Sequence, residues 1–353
     1  LASTASFVLL LSATPHSGDR ESFLALCAIG AIAEAASSPM IAGAANQSLI
    51  VFRRTRAEVG IGTARRVHIV RVKPSPEEAR MHALLRRYCD AVLAEGMDAC
   101  LALSVLHKRA LSSAWSLARS VDRRLIMLAG QDRSAGTQMT LPLGDPQGER
   151  IAADEAPAWP VELCLSDPER ERRLLSALLR CATSAAAFET KVSTLVTLLR
   201  RTRQPTVMFT EYRDTLQHVR QSLPRPALVL HGGLTRDERA AVLASFASDP
   251  FGLLLATDAA AEGLNLHRHC RLVVNLELPW NPMRIEQRIG RVDRIGQRRK
   301  VHAFHLIAAD TGEIRLLERL RTRVARAKAD LGAPDPLDDE RHIARLVMEP
   351  VDK

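Results

Sequence analysis

From residue 205 onward the chain alternates short apolar runs with amphipathic stretches in a regular rhythm. "PTVMFTEY", "PALVLHG", "FGLLLATD", "RLVVNLEL" and "KVHAFHLI" read as strands. "RDTLQHVRQSL" and "TRDERAAVLASFAS" read as helices between them. Strands that take turns with helices predict a parallel sheet with helical crossovers, an α/β fold. Active sites in such sheets lie beyond the carboxyl ends of the strands. The polar punctuation falls there: Thr210-Glu211, His231-Gly232-Gly233 and Thr257-Asp258.

Upstream the pattern changes. "FVLLLSATP" reads as a buried strand that runs into a loop, "ESFLALCAIGAIAEAA" as a helix and "RRVHIVRVKP" as a strand stopped by Pro74. Helical periodicity then dominates in "SPEEARMHALLRRYCDAVLAEG", "ALSVLHKRALSSAWSLARSVDRRLIML", "DPERERRLLSALLRCATS" and "FETKVSTLVTLLRRTRQ". Residues 130–168 are rich in Gly, Pro and Asp and predict a flexible connection. A charged helix is expected from Gly312. These patterns divide the chain into residues 1–72, a helical region 73–190, an α/β unit 191–311 and a helical tail 312–353.

One stretch breaks the rhythm. "QRIGRVDRIGQ", residues 287–297, interleaves arginines with glycines and aliphatics. Wound as a helix from Pro282, it gathers Ile285, Ile289 and Val292 into an apolar stripe at i, i+4, i+7. Gln287, Arg291 and Arg294 share another face. Gly290 lies beside them with no side chain to keep a ligand away. That face offers two planar guanidinium forks and an amide to an anion. A solvated amphipathic helix would show the same periodicity.

Charge sharpens this picture. The 353 residues carry a formal net charge of +9, which favours a polyanionic partner. Between Arg284 and Lys300 seven Lys and Arg face only Glu286 and Asp293, so over half of the excess sits in this one segment. The six cysteines form no C-x-x-C pair, which points away from disulfides and zinc and towards a reducing cytoplasm. No apolar run reaches transmembrane length, so no membrane role is expected.

Taken in order, "LLLSATP", "FRRTRAEV", "VMFTEY", "LHGGLTRDER", "LLLATDAAAEGLNL", "LELPWNP" and "QRIGRVDRIGQ" resemble the later motifs of superfamily two helicases. They look most like the Swi/Snf-like DNA translocases, in the bacterial RapA-like branch. The resemblance implies two RecA-like lobes of the P-loop NTPase type, with ATP and Mg²⁺ between them and double-stranded DNA across both. It implies that Arg291 and Arg294 are arginine fingers, with Gln287 beside them. Asp258, Gly263, Asn265 and Gly290 fall on the ATP side. Ser12, Ala13 and Thr14 match the motif that couples hydrolysis to lobe movement. His231, Gly232, Gly233, Arg239, Thr257, Trp280, Asn281 and Arg284 fall on the nucleic-acid side.

The chain has no G-x-x-x-x-G-K-[ST] phosphate loop. "DEAP" at 154–157 lacks a buried strand before it and follows the S-A-T motif, so it does not stand in for the metal-binding box. The expectation is therefore a C-terminal portion: a remnant of the first lobe, a joining region and a whole second lobe. The metal ligands then belong to the missing first lobe, a partner in cis or in trans. The chain alone would not hydrolyse ATP. RNA polymerase is an expected protein partner, at the bacterial nucleoid. An RNA helicase of the same superfamily, or a non-enzymatic lobe that binds nucleic acid or protein, are the alternatives.

Overall fold

The computed structural model describes residues 65–95, 100–130, 163–261, 263–279 and 282–309, with positions 159, 311, 313, 314, 317 and 318 beside them. The strand and helix expected before residue 65, the "DEAP" stretch and nearly all of the C-terminal tail lie outside the described residues.

Six parallel strands form one sheet in the order β1-β6-β5-β2-β4-β3. They are β1 (Arg66–Val72), β2 (Thr206–Thr210), β3 (Leu228–Leu230), β4 (Leu253–Thr257), β5 (Leu272–Asn275) and β6 (His302–Ala308). β2, β4 and β5 are buried along their whole length, as strands covered on both faces must be. Their runs carry Val, Leu, Met and Phe without polar alternation, which is why apolar runs rather than period two marked them.

The strand Arg66–Val72 pairs in register with β6, Arg66 opposite His302 and Val72 opposite Ala308. A boundary at residue 72 therefore cuts this strand off from the sheet it hydrogen-bonds to. Its alternation of exposed Arg66 with buried Val67 and Ile69 marks an edge strand, and no local signal tells which sheet an edge strand will join.

The helical region contains α1 (Pro76–Ala94), α2 (Cys100–Ser112), α3 (Ala114–Leu128) and α4 (Pro168–Ala186). Pro opens α1 and α4 at the first turn, where its missing N–H costs nothing. Ser75 and Glu78 make a reciprocal capping box at α1, and Asp167 caps α4 by accepting from Glu169 and Arg170 N–H. The stretch expected as one helix from 102 to 128 breaks at Ser113. Ser113 is extended there, and its hydroxyl accepts from the Ser116 N–H to start α3. These helices share their own core, with Leu85, Val92, Leu117, Leu175 and Leu178 fully buried.

α5 (Thr190–Arg201) and α6 (Arg213–Ser222) cover one face of the sheet through Leu195, Leu199, Leu216 and Val219. α7 (Arg236–Ser248), the short α8 (Asp258–Ala261) and α9 (Pro282–Gly290) pack on the other face through Phe246, Ala260, Ile285 and Ile289. The helical region is tied to this unit by polar contacts. The Glu78 carboxylate accepts from the Thr190 N–H at 3.1 Å and its hydroxyl at 2.7 Å, so one side chain serves the starts of both α1 and α5. Buried Arg109 donates to the Ser116 carbonyl and to Asp214 at 2.6 Å. Buried Lys191 bridges the Leu111 and Leu276 carbonyls and pairs with buried Glu313. Among the described residues no helix is long and apolar enough to cross a membrane.

Candidate nucleotide and nucleic-acid site

The carboxyl ends of β2, β4 and β5 lie side by side, and the polar residues that follow them converge. The expected apolar stripe of α9 is present: Ile285, Ile289 and Val292 are wholly buried. Arg288 falls in the same stripe, at i+3 from Ile285, and is buried with them at 2 % exposure. A cation among aliphatics needs a partner, and Arg288 has several. Nε and Nη2 donate to the two Asp258 oxygens at 2.6 and 2.8 Å. Nη1 donates to Asn275 Oδ1 at 3.2 Å and to the Glu277 carbonyl at 3.3 Å. The guanidinium also lies over the Phe209 ring. Burial works against its charge, but Asp258 more than offsets this and holds its pKa above the ordinary arginine value.

Glu277 is the second centre. Its Oε1 accepts from the Glu211 N–H at 2.6 Å, and its Oε2 accepts from the Thr210 and Ser112 hydroxyls, each at 3.1 Å. Ser112 comes from α2, so the helical region reaches into this network. Burial raises the Glu277 pKa to about 7; Arg288 opposes the shift and Glu211 adds to it.

These contacts revise several sequence expectations. Both Asp258 oxygens accept from Arg288, which ties the residue expected on the ATP side to α9. Thr257 is 1 % exposed and its hydroxyl has no hydrogen-bond partner, so it does not face a polymer. The Gly233 N–H donates to His231 Nδ1 at 3.1 Å, so that amide closes the loop on itself rather than pointing at a phosphate. Gly233 is nonetheless needed, since a Cβ there would come within 3.2 Å of the same nitrogen. Thr235 then caps α7 in a second capping box with Glu238. Arg239, half-buried, follows on α7. Arg284 on α9 lies 3.9 Å from Glu211, a loose pair.

The basic stretch is not one helix. α9 ends at Gly290, and the Arg291 carbonyl accepts from the Leu266 N–H at 2.9 Å instead of from the next helical turn. Arg291 and Arg294 therefore stand on a turn, not on a continuous helical face. Gln297, which sequence reasoning passed over, fixes that turn. Its buried amide donates to the His267, Cys270 and Val292 carbonyls. Gly296 has φ +98°, and a Cβ there would lie 3.1 Å from His267 Nε2, so only glycine fits. Arg294 is exposed and Arg291 half-exposed. The Arg294 guanidinium leans on the Leu264 carbonyl at 3.4 Å.

Gln287 is exposed on the last turn of α9. Open space surrounds the position where a Gly290 Cβ would stand. Gly263 adopts φ +75°, and exposed Asn265 shares a hydrogen bond with His267 Nδ1. Ser12, Ala13, Thr14, Trp280 and Asn281 lie outside the described residues.

Residues 190–296 match the family described as the helicase conserved C-terminal domain. The chain is 36 % identical over 137 residues to the uncharacterized ATP-dependent helicase YqhH of Bacillus subtilis (strain 168), a stretch of 38 % of this chain and 24 % of that protein. It is 43 % identical over 89 residues to the RNA polymerase-associated protein RapA of Yersinia pestis (strain Pestoides F), 25 % of this chain and 9 % of that protein. The matched segment thus spans a quarter or less of these relatives. The Pyrococcus furiosus Hef helicase domain aligns at a TM-score of 0.49 and 16 % identity, over 85 % of this chain and 64 % of that one. Residues 190–296 thus match the helicase conserved C-terminal domain on a parallel α/β sheet, and part of the chain is similar to a protein described as an ATP-dependent helicase and to RapA.

Proposed function

We propose that this chain supplies the second lobe of an ATP-dependent translocase on double-stranded DNA, with Arg291 and Arg294 as its arginine fingers. The observation that carries this reading is a turn pinned at both ends while its guanidiniums remain at the surface. Leu266 holds the Arg291 carbonyl, Gln297 ties the far end into three carbonyls, and Arg294 stays exposed between them. Side chains held this way reach an anion without first having to be ordered.

ATP supplies the phosphoanhydride whose cleavage drives the cycle. Gln287 and the open space at Gly290 line the approach, and Arg291 and Arg294 meet the charge that develops on the transferred phosphoryl oxygens. Such arginines contribute about 10³–10⁵ in rate in other NTPases. Supplying them from one lobe to a nucleotide cradled on another makes turnover depend on closure. Mg²⁺ would take its ligands from the first lobe. The Arg288–Asp258 pair positions the start of α8 against α9 rather than touching the nucleotide.

The His231–Gly233 loop, Arg239 and Arg284 form the DNA-facing edge of this lobe. The relative RapA is an RNA polymerase-associated protein; a polymerase partner and a place at the bacterial nucleoid are part of this proposal.

Phosphate release by the protein carrying its upstream lobe, with and without duplex DNA, tests the reading. DNA-stimulated hydrolysis is expected, with none from residues 1–353 alone. Stronger stimulation by duplex RNA would favour an RNA helicase. Undiminished turnover in Arg294→Ala would remove the finger assignment.

A further inference from the structure

The amino ends of the strands carry a second ordered group of side chains. Thr206, Leu272, His302 and Arg66 lie level across β2, β5, β6 and β1. The residues at and just before that line are basic: Arg66 opens β1, Arg271 precedes β5 and Lys300 precedes β6. Neighbouring strands stand about 4.8 Å apart, so these charges form a row rather than a scatter.

Neutral acceptors hold two of these cations, Arg271 and Arg225, in place. Arg271 donates through Nε to Gln204 Oε1 at 2.6 Å and through Nη1 to the Lys300 carbonyl at 3.5 Å. Arg225 donates through Nη2 to the Gln204 carbonyl at 3.3 Å from the other side. Among the described residues no salt bridge to a carboxylate includes Arg66, Arg271, Arg225 or Lys300. The charges are felt at His302, whose pKa is lowered by burial and then by His68, Arg271, Arg66 and Lys300. Asp249 is the nearby carboxylate; it accepts from the Phe251 N–H at 2.8 Å and faces Arg225.

Phe251 ends the row. It immediately precedes Gly252, whose carbonyl accepts from the Thr206 N–H at the start of β2. Its ring is 52 % exposed in a chain with only 4 % aromatic residues. A line of cations beside an exposed aromatic is the combination that binds single-stranded nucleic acid: cations follow the backbone and a base stacks on the ring. A duplex offers no unstacked base to Phe251. An acidic protein segment would need apolar surface for a dry interface centre, and the row holds polar anchors instead.

We propose that Arg66, Lys300, Arg271 and Arg225, with Phe251, form a binding surface for single-stranded nucleic acid at the amino edge of the sheet. The surface uses no residue of the candidate ATP site. It adjoins the turn that bears Arg291 and Arg294: Gln297 donates to the carbonyl of Cys270, the residue before Arg271, and Lys300 follows Gln297 by three residues.

Fluorescence anisotropy with labelled oligothymidylate and oligouridylate of twelve nucleotides, beside a duplex of equal length, tests it over a salt series. Arg66→Ala with Lys300→Ala should weaken single-strand binding at least 10-fold at low salt. It should also flatten the salt slope by about 1 to 2, near 0.7 per lost contact. Phe251→Ala should weaken it roughly 5- to 100-fold with the slope unchanged, and Phe251→Trp should restore it. Comparable binding of the two oligonucleotides means backbone and stacking recognition; preference for one names the natural strand. Duplex-stimulated ATP turnover should survive these substitutions, so the two proposals fail separately. Unaltered single-strand affinity in both variants would overturn the inference. So would an inert Phe251, or displacement by polyglutamate at equal charge.

Discussion

Arg288 and Asp258 form a two-point ion pair that joins the last turn of α9 to the residue directly after β4. Only 2 % of the Arg288 side chain and 14 % of the Asp258 side chain meet solvent. Removing the arginine leaves Asp258 and Glu277 without their cation. Arg288→Ala should therefore cost about 3–5 kcal/mol of folding stability. Arg288→Lys should also lose much of the pairing, since an ammonium cannot make both bonds. Urea unfolding measures this, and a loss under about 1 kcal/mol for the alanine variant would show that the pair is not a structural clamp.

Arg291 and Arg294 should behave in the opposite way. Neither is buried, so alanine at either position should shift stability by no more than about 0.5 kcal/mol. In the protein with its upstream lobe, ATP turnover should fall on the order of 10² or more, with nucleotide affinity changed less and lysine rescuing poorly. Equal effects of Arg288→Ala, Arg291→Ala and Arg294→Ala on both stability and turnover would erase the division of labour among the three arginines.

Glu277 gives the fold a pH dependence of definite sign. Its folded pKa of about 7 lies above its ordinary 4.5. The folded state thus holds the extra proton between those values, and stability from this group falls as pH rises from about 4.5 through about 7. The slope is at most ~1.4 kcal/mol per pH unit. Unfolding titrations at several pH values should show the decline in the parent and a flatter profile in Glu277→Gln. A variant profile parallel to the parent's would assign the dependence elsewhere.

Two glycines of the basic stretch should part company. Gly296→Ala meets both a positive φ and the His267 ring and should destabilise by about 1–3 kcal/mol. Gly290→Ala enters open space on a helical backbone and should leave stability unchanged or slightly raised. It should nonetheless weaken ATP binding in the two-lobed protein if that space receives the nucleotide. Calorimetric titration with a non-hydrolysable ATP analogue reads the second effect, and intact affinity would place the nucleotide elsewhere.

The sheet was legible because buried parallel strands are nearly pure apolar runs and α7, between β3 and β4, opens with a capping box. The contacts among distant residues were not. Arg288 sat in plain view at i+3 in the apolar stripe, and a charge on a buried face was the signal that a counter-ion waits inside. Asn275 and Glu277, polar within "LVVNLEL", gave the matching hint. Gln297 gave none, because a side-chain amide that knits its own turn to the carbonyls of a loop some 30 residues earlier leaves no periodic mark. The end of α9 at Gly290 was hidden for a related reason: the Arg291 carbonyl is claimed by Leu266, some 25 residues earlier. The amino-edge row was invisible because its members come from separate strands and meet only through register.

The pairing of β1 with β6 also sets a timetable for synthesis. At about 5–20 residues per second, the ribosome makes β6 roughly 10–50 s after β1. Until then Val67 and Ile69 lack β6, their neighbour among the described residues, and the whole helical region must close as a loop before they meet it. Such a segment invites pairing with other nascent chains. Arg66, Arg71 and Lys73 bracket it, and charges in those places discourage that error. A delay in translation between residues 130 and 300 would lengthen the vulnerable interval, and expression yield should register it before any assay of ATP does.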